Sequence, residues 1–182
     1  MKKIILILFL GILTISCSDD LSNSKAEKII SKCLEKNPYR ETVKFQYGER
    51  LIYNKDKEEF EHLRELEKEG YLKIDSLGIK KVRYYGKYPK YNIELLEKSK
   101  EFVIEQTERN KKQYVKFSAF DYEVDEVKEV HEIPSMNAAE VRVNYKKVNI
   151  TPFAILSKEN TTDFKIKKLA FAKTSNGWRY CE

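Results

Sequence analysis

Two histidines, three cysteines, four prolines and six glycines are all that a chain of 182 residues supplies. Each shortage excludes something. So few glycines and prolines rule out a collagenous or low-complexity chain. No internal repeat marks a solenoid or propeller. Glu59-Phe-Glu-His62 (residues 59–62) has the Glu-x-x-His spacing that places both ligands on one helix face. That chemistry needs a second copy, and His131 is preceded at −3 by Lys128. His131-Glu-Ile-Pro-Ser lacks the second histidine of a helical zinc site. Cys33 and Cys181 have no Cys or His at zinc-ligand spacing. Neither Gly-x-Ser-x-Gly, nor a P-loop, nor Gly-x-Gly-x-x-Gly occurs. The acid pairs Asp121/Glu123 and Asp125/Glu126 fit the wet face of a strand, so an assembled carboxylate pair is the one catalytic route that spacing leaves open. The expectation is a non-enzyme with no cofactor and no metal.

Long hydrophobic runs are also missing, with one exception. Ile4 to Ile15 is an unbroken apolar-rich stretch behind the positive Met1-Lys2-Lys3. As a helix it would span roughly 18 Å, against about 30 Å of bilayer hydrocarbon. Residues 1–16 are therefore expected to be a signal peptide rather than a transmembrane anchor. Its end, Leu13-Thr14-Ile15-Ser16-Cys17, resembles the lipobox of bacterial lipoproteins, with Thr14 where that family prefers leucine. The resemblance implies a diacylglycerol on the Cys17 sulfur, cleavage before it, and a fatty acyl chain such as palmitate on the new amine. The other reading is an ordinary signal peptide that contains a cysteine. Ser18 followed by Asp19-Asp20 is similar to the export signal of some Gram-negative lipoproteins. It implies the outer membrane, at its periplasmic face or the cell surface. Residues 17–23 are small and polar and read as a flexible tether.

Without the signal peptide, 33 basic residues face 29 acidic ones, a net charge of +4. The two signs are interspersed, which describes a solvated surface rather than a nucleic-acid stripe. With Cys17 assigned to lipid, Cys33 and Cys181 remain. In the oxidising envelope they form either a disulfide between the first helix and the last strand, or two separate thiols.

Helical spacing begins at the capping pattern Ser24-Lys-Ala-Glu27 and ends at Asn37-Pro38. Val43, Phe45 and Tyr47 alternate as a short strand that Gly48 stops. A second helix is expected from Asp56 to Glu69 with Gly70 as its C-terminal cap. Ile79 to Ile93 reads as a hairpin, and Glu94 to Asn110 as a third helix. The order of the leucine-rich helix, Gly70-Tyr-Leu, the basic hairpin and Tyr91-Asn-Ile-Glu-Leu-Leu resembles part of a winged-helix domain. From Gln113 onward the pattern is β, clearest in the alternation of Ala139, Val141, Val143 and Tyr145, with a last hairpin turning at Ser175-Asn176-Gly177. This part resembles cystatin-like and NTF2-like domains. The expected fold is α+β: a helical, winged-helix-like region over 24–111, then an antiparallel sheet of about four strands over 112–182.

One stretch is compositionally unusual. Tyr84-Tyr85-Gly-Lys87-Tyr88-Pro-Lys90-Tyr91 puts four tyrosines and two lysines on a hairpin tip. Either these residues form a contact patch for a protein or glycan, or alternate tyrosines pack on the core while the lysines face water. Export would separate the chain from nucleic acid. The functional expectation is a membrane-anchored, non-catalytic binding or scaffolding module of the cell envelope. The alternative is a periplasmic inhibitor or immunity-type lipoprotein that neutralises a toxin or hydrolase.

Overall fold

The structure is a computed structural model and describes residues 20–84 and 86–181. Cys17, the signal stretch and Tyr85 lie outside the described residues. In chain order the elements are α1 (Asn23–Lys36), β1 (Tyr39–Leu51), α2 (Lys57–Lys68), β2 (Leu72–Val82), β3 (Gly86–Leu95), β4 (Val103–Arg109), β5 (Lys112–Ile133), β6 (Ala138–Val148), β7 (Phe164–Thr174) and β8 (Gly177–Arg179). Short 3-10 turns fill several connections.

The expected α+β division does not hold. The eight strands form one antiparallel sheet, ordered β2-β3-β1-β5-β6-β7-β8, with β4 also on β5. The region expected to be winged-helix-like contributes β1, β2, β3 and β4 to that sheet. The expected third helix is absent: Glu97–Phe102 is a 3-10 turn, and Val103–Arg109 is a strand on β5. Its apolar residues cluster near the start, at Leu95, Leu96, Phe102 and Val103, so there is no continuing stripe to hold a helix down. The β-branched Val103, Ile104 and Thr107 suit the pleat instead.

β5 is the spine. Its first half carries β1 on one edge (Tyr47 opposite Gln113, Tyr39 opposite Tyr122) and β4 on the other. Its second half carries β6, end to end with β4. Between those two partners the ladder would be open. Thr151 closes it: its N–H donates to the Ala119 carbonyl at 2.8 Å and its hydroxyl to the Ser118 carbonyl at 2.6 Å.

Bulges decide which residues of β5 face inward. Glu41 pairs Phe120 and Thr42 pairs Ser118, so Ala119 is an extra residue. Val115, Phe117 and Ala119 are buried before the slip, and Phe120 and Tyr122 after it. The extra residue shifts the alternation by one and keeps both sets on the core side. Two more slips leave Asp125 and Lys128 unpaired, so that Val124, Val127 and Val130 face Tyr145, Val143 and Val141. The Val-x-x-Val-x-x-Val spacing is the imprint of those bulges.

The core is one continuous cluster. α1 lies across the second half of β5 with Ala26, Ile30 and Cys33 buried. Its N-cap is Ser22, two residues before the expected capping box, and the Ser22 hydroxyl accepts from the Lys25 N–H at 3.2 Å. α2 buries Phe60, Leu63 and Leu66 against β2 and the 152–156 turn. There Phe153 stacks on Phe117 with ring centroids 3.7 Å apart. Gly70 takes φ +79° just past α2, the left-handed geometry that ends a helix cheaply in glycine. Cys33 and Cys181 are joined as a disulfide across 148 residues of chain, with their Cα atoms 6.1 Å apart.

Candidate functional site

At Gly48 the chain changes partner. Tyr47 still pairs with β5, whereas Gly48 to Leu51 pair with Ile93 to Lys90 of β3. Gly48 holds φ +72° at this corner, and a Cβ there would meet the Gln113 side chain at 3.0 Å. The expected stop is thus a corner, and β1 runs through it. Because β1 ends at Leu51, the hairpin outruns its neighbour. Past Pro89, whose carbonyl accepts from the Ile52 N–H at 3.0 Å, the rungs from Lys80–Tyr88 to Val82–Gly86 have no ladder partner outside the hairpin among the described residues.

The proposed tyrosine and lysine patch divides along this arm. Tyr84 sits in the turn at φ +69°, 87 % exposed, with the Arg83 guanidinium 5.0 Å from its ring centroid. Lys87 is exposed. Tyr88 is half-buried and tilts against Tyr53, their rings 4.8 Å apart. Lys90 pairs with Glu49. Tyr91 belongs to the packing: Phe60 lies 4.6 Å from its ring and the Arg64 guanidinium 5.2 Å. Tyr84 and Lys87 therefore face solvent, Tyr88 and Lys90 form walls, and Tyr91 anchors the arm to α2.

Beside the arm lies an open groove of about 620 Å³. The outward face of β1 gives it Lys44 and Gln46, and β5 gives it Tyr114, directly across the ladder from Gln46, and Lys112 at the start of the strand. The 53–56 turn adds Tyr53, Lys55 and Asp56, and the hairpin adds Lys80 and Lys90. A second concavity, which Tyr88 lines, opens on the other side of the Tyr53–Tyr88 pair. Glu49, Asp56 and Glu59 supply the groove's acids, and all three are engaged. Lys90 holds Glu49, the Arg50 guanidinium donates to Glu59 at 2.6 Å, and Asp56 accepts the Tyr53 N–H at 3.0 Å. Among the described residues, Lys44, Lys55, Lys80 and Lys112 have no carboxylate partner. Lys44 lies 5.3 Å from the Tyr114 ring centroid.

Sequence reasoning found the arm and missed the groove. Lys44, Lys55 and Lys112 are single residues in three segments that meet only once β1 is on β5 and the 53–56 turn follows β1. The one signal within reach was local: Ile79 to Lys90 contains five bases and no acid.

The acids considered for catalysis are dispersed into pairings. Asp121 takes both Arg40 nitrogens, at 2.6 and 3.0 Å, and the Asn149 amide at 3.2 Å. The Arg40 hydrogen bonds hold its carboxyl below the usual carboxylate range. Glu123 pairs with Lys146, Glu126 with Lys128, and Asp125 accepts from Asn144. Glu59 of the Glu-x-x-His pattern is held by Arg50. Among the described residues no group of three or more His, Cys, Asp or Glu is placed to hold a metal. No described helix is long and apolar enough to cross a membrane. Compared with protein-family models, with curated proteins and with solved structures, the chain matches none.

Proposed function

We propose that the chain is an exported lipoprotein, held in a Gram-negative outer membrane through lipid on Cys17, and that its folded part is a non-catalytic binding module. Two acyl chains or more on one cysteine anchor far more firmly than one, because each buried CH₂ contributes about 0.8 kcal/mol. The observation that carries the export half is the pairing of Cys33 with Cys181. A disulfide closing almost the whole domain belongs to an oxidising compartment, since cytosolic thiols are kept reduced. The binding half rests on the projecting hairpin and on a groove whose lysines outnumber its free acids.

The reading is tested by fractionating cells that express the full chain and a Cys17→Ala form. The wild-type chain is expected in the membrane fraction, released by detergent and not by high salt. The Cys17→Ala form is expected to lose that partition or to accumulate as the uncleaved precursor. Two forms of equal mass pattern and equal membrane retention would contradict the reading.

A further inference from the structure

We propose that the groove between β1, the 53–56 turn and the hairpin arm binds an acidic polysaccharide, presented at the end of the domain farthest from its anchor. The orientation rests on the lipoprotein reading above; the ligand class rests on the groove.

The orientation follows from β5. The start of the described chain is fixed to its far half: the Asn23 amide donates to the Val127 carbonyl at 3.0 Å, and the Leu21 N–H donates to Glu132. The groove is fixed to its near end, at Lys112 and Tyr114. Thirteen residues separate Val127 from Tyr114, two of them bulged, so at about 3.3 Å per residue the two points lie roughly 40 Å apart along the strand. A tether leaving residue 20 toward a membrane therefore points the groove and hairpin away from it.

The charge pattern selects an anion. The groove's acids are already held within the protein, which leaves Lys44, Lys55, Lys80 and Lys112, among the described residues, as cations without a carboxylate partner around one concavity. Lys81, Arg83 and Lys87 add further positive charge to the arm, Lys87 lining the second concavity beyond the Tyr53–Tyr88 pair, and no carboxylate lies between Gly78 and Lys90. Four separated ammonium groups along an open cleft suit a chain with charges at intervals more than a single small anion. The shape disfavours a bilayer, because a planar headgroup surface does not enter a concavity. The tyrosines favour sugar. Tyr53 and Tyr114 both line the groove, Tyr53 against Tyr88 and Tyr114 beside the Lys44 ammonium, and a tyrosine's apolar ring with a polar tip suits the C–H face of a pyranose whose hydroxyls stay hydrogen-bonded.

The test uses the full chain in non-ionic detergent at low salt, with polygalacturonate as the probe and dextran as its neutral control. Polygalacturonate is expected to bind and dextran not to bind. The triple variant Lys44→Gln/Lys80→Gln/Lys112→Gln is expected to weaken binding by roughly tenfold or more, and added salt should weaken the wild-type complex. A charge-matched control, Lys28→Gln/Lys32→Gln/Lys36→Gln on the exposed side of α1, is expected to change it less than about twofold. Tyr114→Leu keeps the bulk and loses the ring. It should reduce polygalacturonate binding and leave any polyglutamate binding unchanged. Near-ultraviolet circular dichroism confirms that each variant is folded. Equal losses in the two triple variants would overturn the proposal, since net charge alone would then explain binding. So would polyglutamate binding as tightly as polygalacturonate, or phosphatidylglycerol vesicles that bind as tightly and lose affinity in the groove triple. Because lipid on Cys17 is measured separately, a chain from its own membranes that carries no lipid there would overturn the anchoring and the orientation, while polygalacturonate binding by that chain would leave the ligand class standing.

Discussion

Replacing Cys33 and Cys181 together by serine removes the one covalent link between α1 and the end of the chain. The link closes a loop of 148 residues. In the chain-entropy account, such a loop restricts the unfolded ensemble by about 17 cal/mol/K, or about 5 kcal/mol at 25 °C. For a domain of this size, 1 kcal/mol corresponds to about 2–4 °C in the melting midpoint. The double variant is therefore expected to melt roughly 10–20 °C lower. The same shift should appear when the wild-type protein is melted with reductant and not when the variant is. Because Cys33 is buried on the inner face of α1, the serines also place two hydroxyls where sulfur packed, so the reductant experiment isolates the link itself. The assay is thermal unfolding followed by circular dichroism, with unfolding reversibility checked. A loss under about 3 °C in both experiments, near what 1 kcal/mol would give, would refute the reasoning. It would mean that the packing of α1 on β5 already holds the chain ends together in the unfolded ensemble.

Two further consequences follow from the packing and from one ion pair. Phe153→Ala removes a fully buried ring stacked on Phe117 between α2 and β5, and is expected to cost about 3–5 kcal/mol in urea unfolding, with the midpoint moving and the slope unchanged. Asp121→Asn is expected to cost about 1 kcal/mol at neutral pH, a value kept small because Arg40 is well exposed. The Asp121 carboxyl is held below its unfolded value, so its contribution is complete above about pH 4 to 5 and disappears as pH falls through the folded value. The gap between the melting points of wild type and variant should thus close on acidification toward pH 3; a gap that widens would contradict the assignment.

Where local chemistry and tertiary placement agreed, the sequence was readable. The alternation of Ala139 to Tyr145 named β6 and its buried face, and the leucine and phenylalanine spacing named α2 with Gly70 at its end. The errors came where tertiary context overrode pattern. Leu95, Leu96 and Phe102 looked like a helix stripe, yet they pack around a 3-10 turn in which the Ser99 hydroxyl donates to the Leu96 carbonyl. Gly48 looked like a strand stop because a glycine after an alternating run is a turn signal, and only the register showed it, at positive φ, to be a corner between β5 and β3. The valines at 124, 127 and 130 match neither period 2 nor period 3.6, because two extra residues lie between them. The tyrosine-rich arm was visible, since its composition is local. The groove was not, because its lysines come from four segments that meet only after the sheet is assembled.

The account depends most on Cys17. The direct measurement is the mass of the N-terminal peptide from chain extracted out of membranes of its own cells. A peptide that begins at Cys17 and carries a diacylglyceryl group, with or without a further acyl chain on its amine, is the predicted result. A membrane-extracted chain that retains Met1, or that carries Cys17 as a free thiol within a longer peptide, would contradict it.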